Sequence, residues 1–191
     1  MTRADRPTLD QIKKELVRRD RMSRYTNALK ITLVALVFVI SISVLLAVLW
    51  IPVLRVTGTS MTPHLEEGDI VIIRKTSNFK TGNIIAFYYN NKILLKRVIA
   101  GAGDVVDMDK DGNVYVNNSK IDEPYAVDKG KGKCDIEFPY QIPEDSWFVL
   151  GDHRSTSIDS RSDEIGCIKQ EDVIGKLFFR IYPFKKSMSV D

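Results

Sequence analysis

The chain has 191 residues, of which 28 are Lys or Arg and 25 are Asp or Glu, for a formal net charge of +3. Hydrophobic residues make up 44 % of it, too large a share for an intrinsically disordered chain. Two cysteines are too few for a disulfide-stapled scaffold.

The positive charge is local. Residues 1–30 hold Arg3, Arg6, Lys13, Lys14, Arg18, Arg19, Arg21, Arg24 and Lys30 against four acids. Removing these from the totals leaves residues 31–191 with 19 basic and 21 acidic side chains. Nucleic-acid binding needs a basic patch on the folded domain, so no nucleic-acid partner is expected. The basic stretch reads as a lipid-facing topogenic tail, residues 1–30.

No charged residue lies between Lys30 and Arg55, and the 24 intervening residues are rich in Leu, Val and Ile. As a helix they would extend about 36 Å, enough to cross a ~30 Å hydrocarbon core with some tilt. Trp50 stands where an amphipathic ring favours the membrane interface. Pro52 ends or kinks the helix. A cleaved signal peptide would have a shorter apolar run and an A-x-A site after it, so residues 31–54 read as an uncleaved anchor. The positive-inside rule puts the N-terminus in the cytoplasm and residues 55–184 outside. The expected location is the plasma membrane, single-pass, with a C-terminal tail over 185–191.

The outside segment is long enough for one core and reads mostly as strands. Asp69–Arg74 follows a turn at Gly68. Ile84–Tyr89 and Ile93–Ile99 flank Asn90-Asn91, a hairpin signal. Val114–Val116 precedes Asn117-Asn118, a second turn. Trp147–Leu150 and Leu177–Tyr182 are the later strands. The 125–135 stretch, with Lys129-Gly130-Lys131-Gly132-Lys133, has no periodicity and reads as a mobile loop. Cys134 and Cys167 are either a bridge, which an outside compartment permits, or two small buried hydrophobes. No metal motif is present, and no cofactor is expected.

The chemistry centres on Ser60, in Gly58-Thr59-Ser60-Met61-Thr62-Pro63. A serine hydroxyl needs a nearby base. His64 and His153 could in principle supply one, and His153 adjoins Asp152, so a His-based triad is possible, but nothing else supports it. Lys96 lies in Leu94-Leu95-Lys96-Arg97-Val98-Ile99, where alternation puts it on the face of Leu94 and Val98. An ammonium on an apolar face is disfavoured, so its pKa falls and a neutral amine becomes available. Snorkelling to a strand edge is the competing reading for Lys96. The Ser60 backbone N–H is a natural oxyanion donor, with the Thr59 hydroxyl as a second candidate. Farther on, Ser157 could orient an amine, and Asp159 and Arg161 could pair and brace the loop. Ile70, Ile72, Leu94 and Val98 are candidate walls for shallow substrate pockets.

Five blocks in order carry a resemblance: the anchor; Ser60-Met61-x-Pro63 before Leu65; Gly68-Asp69 before an apolar strand; Lys96-Arg97-Val98-Ile99 running into Gly103-Asp104; and Gly151-Asp152-x-Arg154 through Ser157-x-Asp159-Ser160-Arg161. Together they resemble the type I signal peptidases, or leader peptidases, over roughly residues 31–184. The resemblance implies a mainly antiparallel β catalytic domain of the kind shared with the SOS-repressor autopeptidases. It implies a Ser-Lys dyad of Ser60 and Lys96, with Ser157 orienting the lysine, Asp159 and Arg161 as a structural pair and Met61 beside the substrate pocket. The implied substrates are exported preproteins, cut after small residues in an A-x-A pattern, without metal or cofactor. The implied surroundings are the lipid bilayer and, as a candidate neighbour, the protein translocation channel. Gly58 and the single span are similar to the Gram-positive form. His153, where asparagine is usual, and Ser155-Thr156, where Asp-Asn is common, depart from the pattern. The rival reading is a catalytically inactive anchored relative that assists surface-protein assembly.

Overall fold

The computed structural model describes residues 8–50, 52–130 and 132–183. The tail expected over 185–191 and the Trp50 side chain fall outside that description. The chain divides into two units, one ending at Trp50 and one beginning at Ile51.

The first unit is a single helix, α1 (Leu9–Trp50). Its apolar half shows no buried stripe: Leu33, Val37, Phe38, Val39 and Ile40 are each more than half exposed. A helix that is apolar all round and unburied suits a lipid environment rather than a protein core. By length and composition it is sufficient to cross a membrane. The helix also takes in the basic stretch from Leu9 onward. It stops at Trp50, before Pro52, so Val53 and Leu54 leave the expected anchor span and join a strand.

The second unit is mainly β. One sheet has seven strands in the order β1-β2-β11-β3-β4-β9-β10. These are β1 (Val53–Arg55), β2 (Ile70–Arg74), β3 (Ile84–Tyr89), β4 (Lys92–Ala100), β9 (Ser146–Leu150), β10 (Ile168–Lys169) and β11 (Val173–Tyr182). A smaller sheet runs β7-β6-β5-β8, from β5 (Val105–Met108), β6 (Val114–Val116), β7 (Ser119–Lys120) and β8 (Tyr140–Gln141). Every strand pairing is antiparallel.

Both asparagine turns form as expected. Asn90 and Asn91 have φ of 44° and 60°, and Asn117 and Asn118 have 49° and 67°. Two left-handed residues in a row make the two-residue hairpin whose twist matches its strands. The first turn sets the register that pairs Lys96 with Ile85 and Arg97 with Ile84. A one-residue slip would turn every β4 side chain to the other face.

Three apolar clusters hold the frame. Val56, Met61, Leu65, Val71, Ile73, Ile84, Ala86 and Leu177 form one, which seats the segment carrying Ser60. Phe79, Ile85, Phe87, Val98 and Val149 form a second, and Phe148, Leu150, Ile99 and Val106 anchor a third toward the smaller sheet. Each fully buried side chain of this kind contributes about 1.5–3 kcal/mol of transfer free energy. Cys134 and Cys167 are both free, so the bridge is not formed. Cys167, partly buried, packs against the third cluster, and burial raises its thiol pKa to about 11.

Candidate active site

Ser60 lies in a tight segment after β1. Gly58 has φ of 85°, a conformation that L side chains rarely adopt. Thr62 N–H donates to Thr59 O at 3.1 Å, and Leu65 N–H to Met61 O at 2.9 Å. Met61 and Leu65 are 2 % and 1 % exposed, so apolar burial pins the turn on both sides of the serine.

Lys96 meets that turn from β4. Its Nζ lies 2.7 Å from Ser60 Oγ. The side chain is 3 % exposed, which rules out the snorkelling alternative. Burial is the main cause that lowers its pKa from 10.5 to about 8; Arg161 adds to the fall, while Asp159 and Asp152 oppose it. The amine can therefore be neutral at mildly alkaline pH while touching a serine hydroxyl, which is the arrangement a general base requires.

The lowered pKa also sets a stability prediction. Below about pH 8 the lysine is charged whether folded or unfolded, and the full burial penalty applies. Between about 8 and 10.5 the folded chain binds fewer protons than the unfolded one, so the penalty shrinks, and above 10.5 it is gone. The shift corresponds to roughly 3 kcal/mol. Lys96→Met should thus be more stable than the wild type at pH 6–7, by up to about that amount less ~1 kcal/mol for the lost hydrogen bond. The difference should fade as pH rises through that window. Denaturant melts of both proteins at pH 6.5 and 10 check this.

The loop after β9 closes the site from the other side. Asp159 and Arg161 are both fully buried and are joined by side-chain hydrogen bonds, Nε to Oδ1 at 2.8 Å and a terminal nitrogen to Oδ2 at 2.9 Å, and by the Arg161 backbone N–H to Oδ1 at 3.3 Å. Asp159 Oδ2 also accepts the Gly151 N–H at 3.0 Å. Arg161 reaches Arg154 O at 2.7 Å and Gly130 O at 3.1 Å. The pair thus braces the loop, as its spacing suggested. His153 N–H donates to Ser60 O at 3.1 Å and joins the loop to the serine turn.

Ser157 differs from expectation. It is 1 % exposed, and among the described residues its Oγ has no hydrogen-bond partner, so the anticipated bond to the Lys96 amine is not made. The hydroxyl lies against Gly151 instead. A Cβ added at Gly151 would fall 2.3 Å from Ser157 Oγ and 2.6 Å from Ser60 O, so only glycine lets Ser157 and the Ser60 backbone approach each other there.

Neither histidine serves the serine. His64 Nδ1 lies 3.8 Å from Asp152 Oδ2, and burial together with Arg97 lowers its pKa. His153 Nδ1 contacts Thr62 Oγ1 at 3.1 Å. Thr59 is exposed, and its carbonyl takes both Thr62 donors. Among the described residues nothing takes the Ser60 N–H, which leaves it as the available oxyanion donor.

A groove of about 480 Å³ leads to Ser60 and Lys96. Its apolar walls are Leu54, Val56, Met61, Ile93, Leu94 and Leu95. Of the expected wall residues only Leu94 lines it. Val98 is turned into a buried cluster, and Ile70 and Ile72, on β2, are not among the lining residues. Met61 also lines the groove.

Several supporting residues carried no role in the sequence reading. Arg97 clamps Asp152 with two bonds of 2.7 and 2.6 Å, reaches Gly82 O and lies over the Tyr125 ring. Arg154 pairs with buried Glu123 and bonds Gly151 O. Their signal was present in Lys96-Arg97 and Gly151-Asp152-x-Arg154, charges set in or beside buried strands. The 125–135 stretch, expected to be mobile, is tied to this loop. Val127 N–H donates to Asp152 O, Asp128 Oδ1 accepts the Ser155 N–H, and Gly130 O accepts from Arg161.

An antiparallel β domain that presents a serine to a buried lysine has the anatomy of a serine hydrolase. The family model of signal peptidases, peptidase S26, matches residues 26–182, and the chain belongs to that family. It is similar to signal peptidase I of Bacillus amyloliquefaciens, 35 % identical over 142 residues, covering 69 % of this chain and 76 % of that protein. It is likewise similar to signal peptidase IB of Staphylococcus aureus, 35 % identical over 151 residues, covering 69 % and 78 %. A crystal structure of a signal peptidase I from Enterococcus faecalis aligns at 28 % identity and a TM-score of 0.45, covering 52 % of this chain and 97 % of that one. The protein is thus a signal peptidase-type enzyme acting on preproteins with signal peptides, and the one long apolar helix among its described residues fits a membrane-anchored enzyme.

Proposed function

We propose that the enzyme cuts signal peptides from exported preproteins after small residues in an A-x-A pattern, with Ser60 as nucleophile and Lys96 as general base. The observation that carries this is the 2.7 Å contact between a buried lysine amine and the serine hydroxyl. The neutral amine takes the Ser60 proton as Oγ attacks the scissile carbonyl. The Ser60 N–H stabilises the oxyanion. The ammonium then gives its proton to the leaving amine, which leaves an acyl-enzyme. The same amine next activates the water that releases the new C-terminus and restores Ser60. Met61 and the leucine walls of the groove favour small side chains by limiting its depth.

Anchoring through α1 holds the enzyme and an embedded substrate in one bilayer and raises their effective concentration. The basic residues before Lys30 favour a cytoplasmic N-terminus and a catalytic domain outside the plasma membrane. The translocation channel is the natural neighbour, since substrates emerge there.

The test is cleavage of a vesicle-embedded preprotein by the full chain. The expected result is a cut after the second alanine, loss of cutting when that alanine is replaced by leucine, and no cutting by Ser60→Ala. A cut elsewhere, or activity retained in Ser60→Ala, overturns the proposal.

A further inference from the structure

His153 has no part in the chemistry above, yet three segments meet on it. Thr62 Oγ1 donates to Thr59 O at 2.8 Å, within the turn that carries Ser60. A hydroxyl has one hydrogen, so the 3.1 Å contact between Thr62 Oγ1 and His153 Nδ1 runs the other way, with Nδ1–H donating. The hydrogen-bond network thereby fixes which ring nitrogen carries the hydrogen.

The opposite edge of the ring meets the 125–130 segment. His153 Nε2 lies 3.6 Å from Asp128 Oδ2, with both side chains about two-thirds buried. Asp128 Oδ1 is itself held by the Ser155 N–H at 3.1 Å. Asp128 and His153 also pair through their backbones as an isolated parallel bridge. The His153 N–H donates to Ser60 O. One residue therefore grips the serine turn twice, by backbone and by ring, and is gripped in turn by the 125–130 segment.

We infer that His153 is a positioning residue for Ser60: its ring Nδ1–H holds Thr62 and its backbone N–H holds Ser60 O, while its backbone bridge to Asp128 fixes the serine turn against the 125–130 segment. This rests on Ser60 being the nucleophile. A displacement of that turn by ~1 Å is enough to lower a rate by up to about 100-fold. It also gives the 125–130 segment a task, as the fixed wall from which the turn is held.

The experiment compares kcat and KM of the full chain in vesicles for wild type, Thr62→Val, Thr62→Ser, His153→Leu and the Thr62→Val/His153→Leu double variant. Thr62→Val and His153→Leu should each lower kcat about 10-fold with KM changed less than about 2-fold. Thr62→Ser, which keeps the hydroxyl, should stay close to wild type. The double variant should be no slower than the worse single one, because both remove one link. Amide exchange over residues 58–65 should rise in Thr62→Val and in His153→Leu, while β3 and β4 stay protected. Multiplying losses in the double variant, a loss confined to KM, or unchanged exchange over 58–65 would overturn the inference. The exchange readout needs no cleavage, so failure of the wild type to cut preproteins would count against the signal-peptidase mechanism and leave this link still measurable.

Discussion

Lys96→Met should lower preprotein cleavage at least about 1,000-fold while the domain stays folded. A positioned general base contributes ~10²–10⁴-fold by itself. Here the loss is expected toward the upper end, because among the described residues Ser60 Oγ touches no other base: its hydrogen-bond partner is the Lys96 amine at 2.7 Å, and both histidines are engaged elsewhere. Ser60→Ala should lose as much, and the double variant no more, since the two side chains act as one unit. Single-turnover cleavage with circular dichroism on the same samples measures both terms. Retention of a tenth of the wild-type rate by a folded Lys96→Met would mean that another group takes the serine proton.

The second large effect is structural. Asp159→Ala should destabilise the catalytic domain by about 3–5 kcal/mol, because it removes the carboxylate that balances the Arg161 guanidinium, which is 0 % exposed. It also deprives the buried Gly151 N–H of its acceptor. Arg161 keeps its carbonyl partners Gly130 and Arg154, which favours the lower end of that range. Activity should fall with stability, since the same loop holds Ser60 O through His153 N–H. Thermal melts monitor the first effect and cleavage at a temperature where the variant is folded monitors the second. Ile158→Ser, 44 % exposed on the same loop, is the control expected to change little.

The residues at the centre of the site were legible because each carries a local signal. Ser60 sits between a glycine and a proline in a turn. Lys96 is a charge within an apolar strand whose register is set by the adjacent Asn90-Asn91 turn. Asp159 and Arg161 are two apart, close enough for sequence spacing to suggest a pair. The strands found in the sequence were those with four or more apolar residues or an asparagine turn beside them.

What escaped was short or distant. Strands β1, β8 and β10 have two or three residues, too few to show a period, and exist because neighbours supply their partners. The contacts of Glu123 with Arg154 and of Gly130 with Arg161 each span 31 residues, and no local pattern links them. Such links turn the lysine- and glycine-rich 125–135 stretch, which composition marks as mobile, into a brace. The pocket walls were misjudged for a related reason. Alternation tells which β2 side chains share a face but not which face borders the groove, and the strands that line the groove are β1 and β4. Ser157 was identified by position, yet its hydroxyl lies against Gly151 and not on the Lys96 amine.

The most direct test is the pH dependence of single-turnover cleavage by the wild-type full chain, in vesicles carrying an Ala-x-Ala preprotein, from pH 6 to 10. Loss of the proton from Lys96 switches the base on, so the rate should rise about tenfold per pH unit at the acid end and level off above an apparent pKa near 8. A rate already level by pH 7, as a histidine base would give, would contradict the Ser60–Lys96 mechanism.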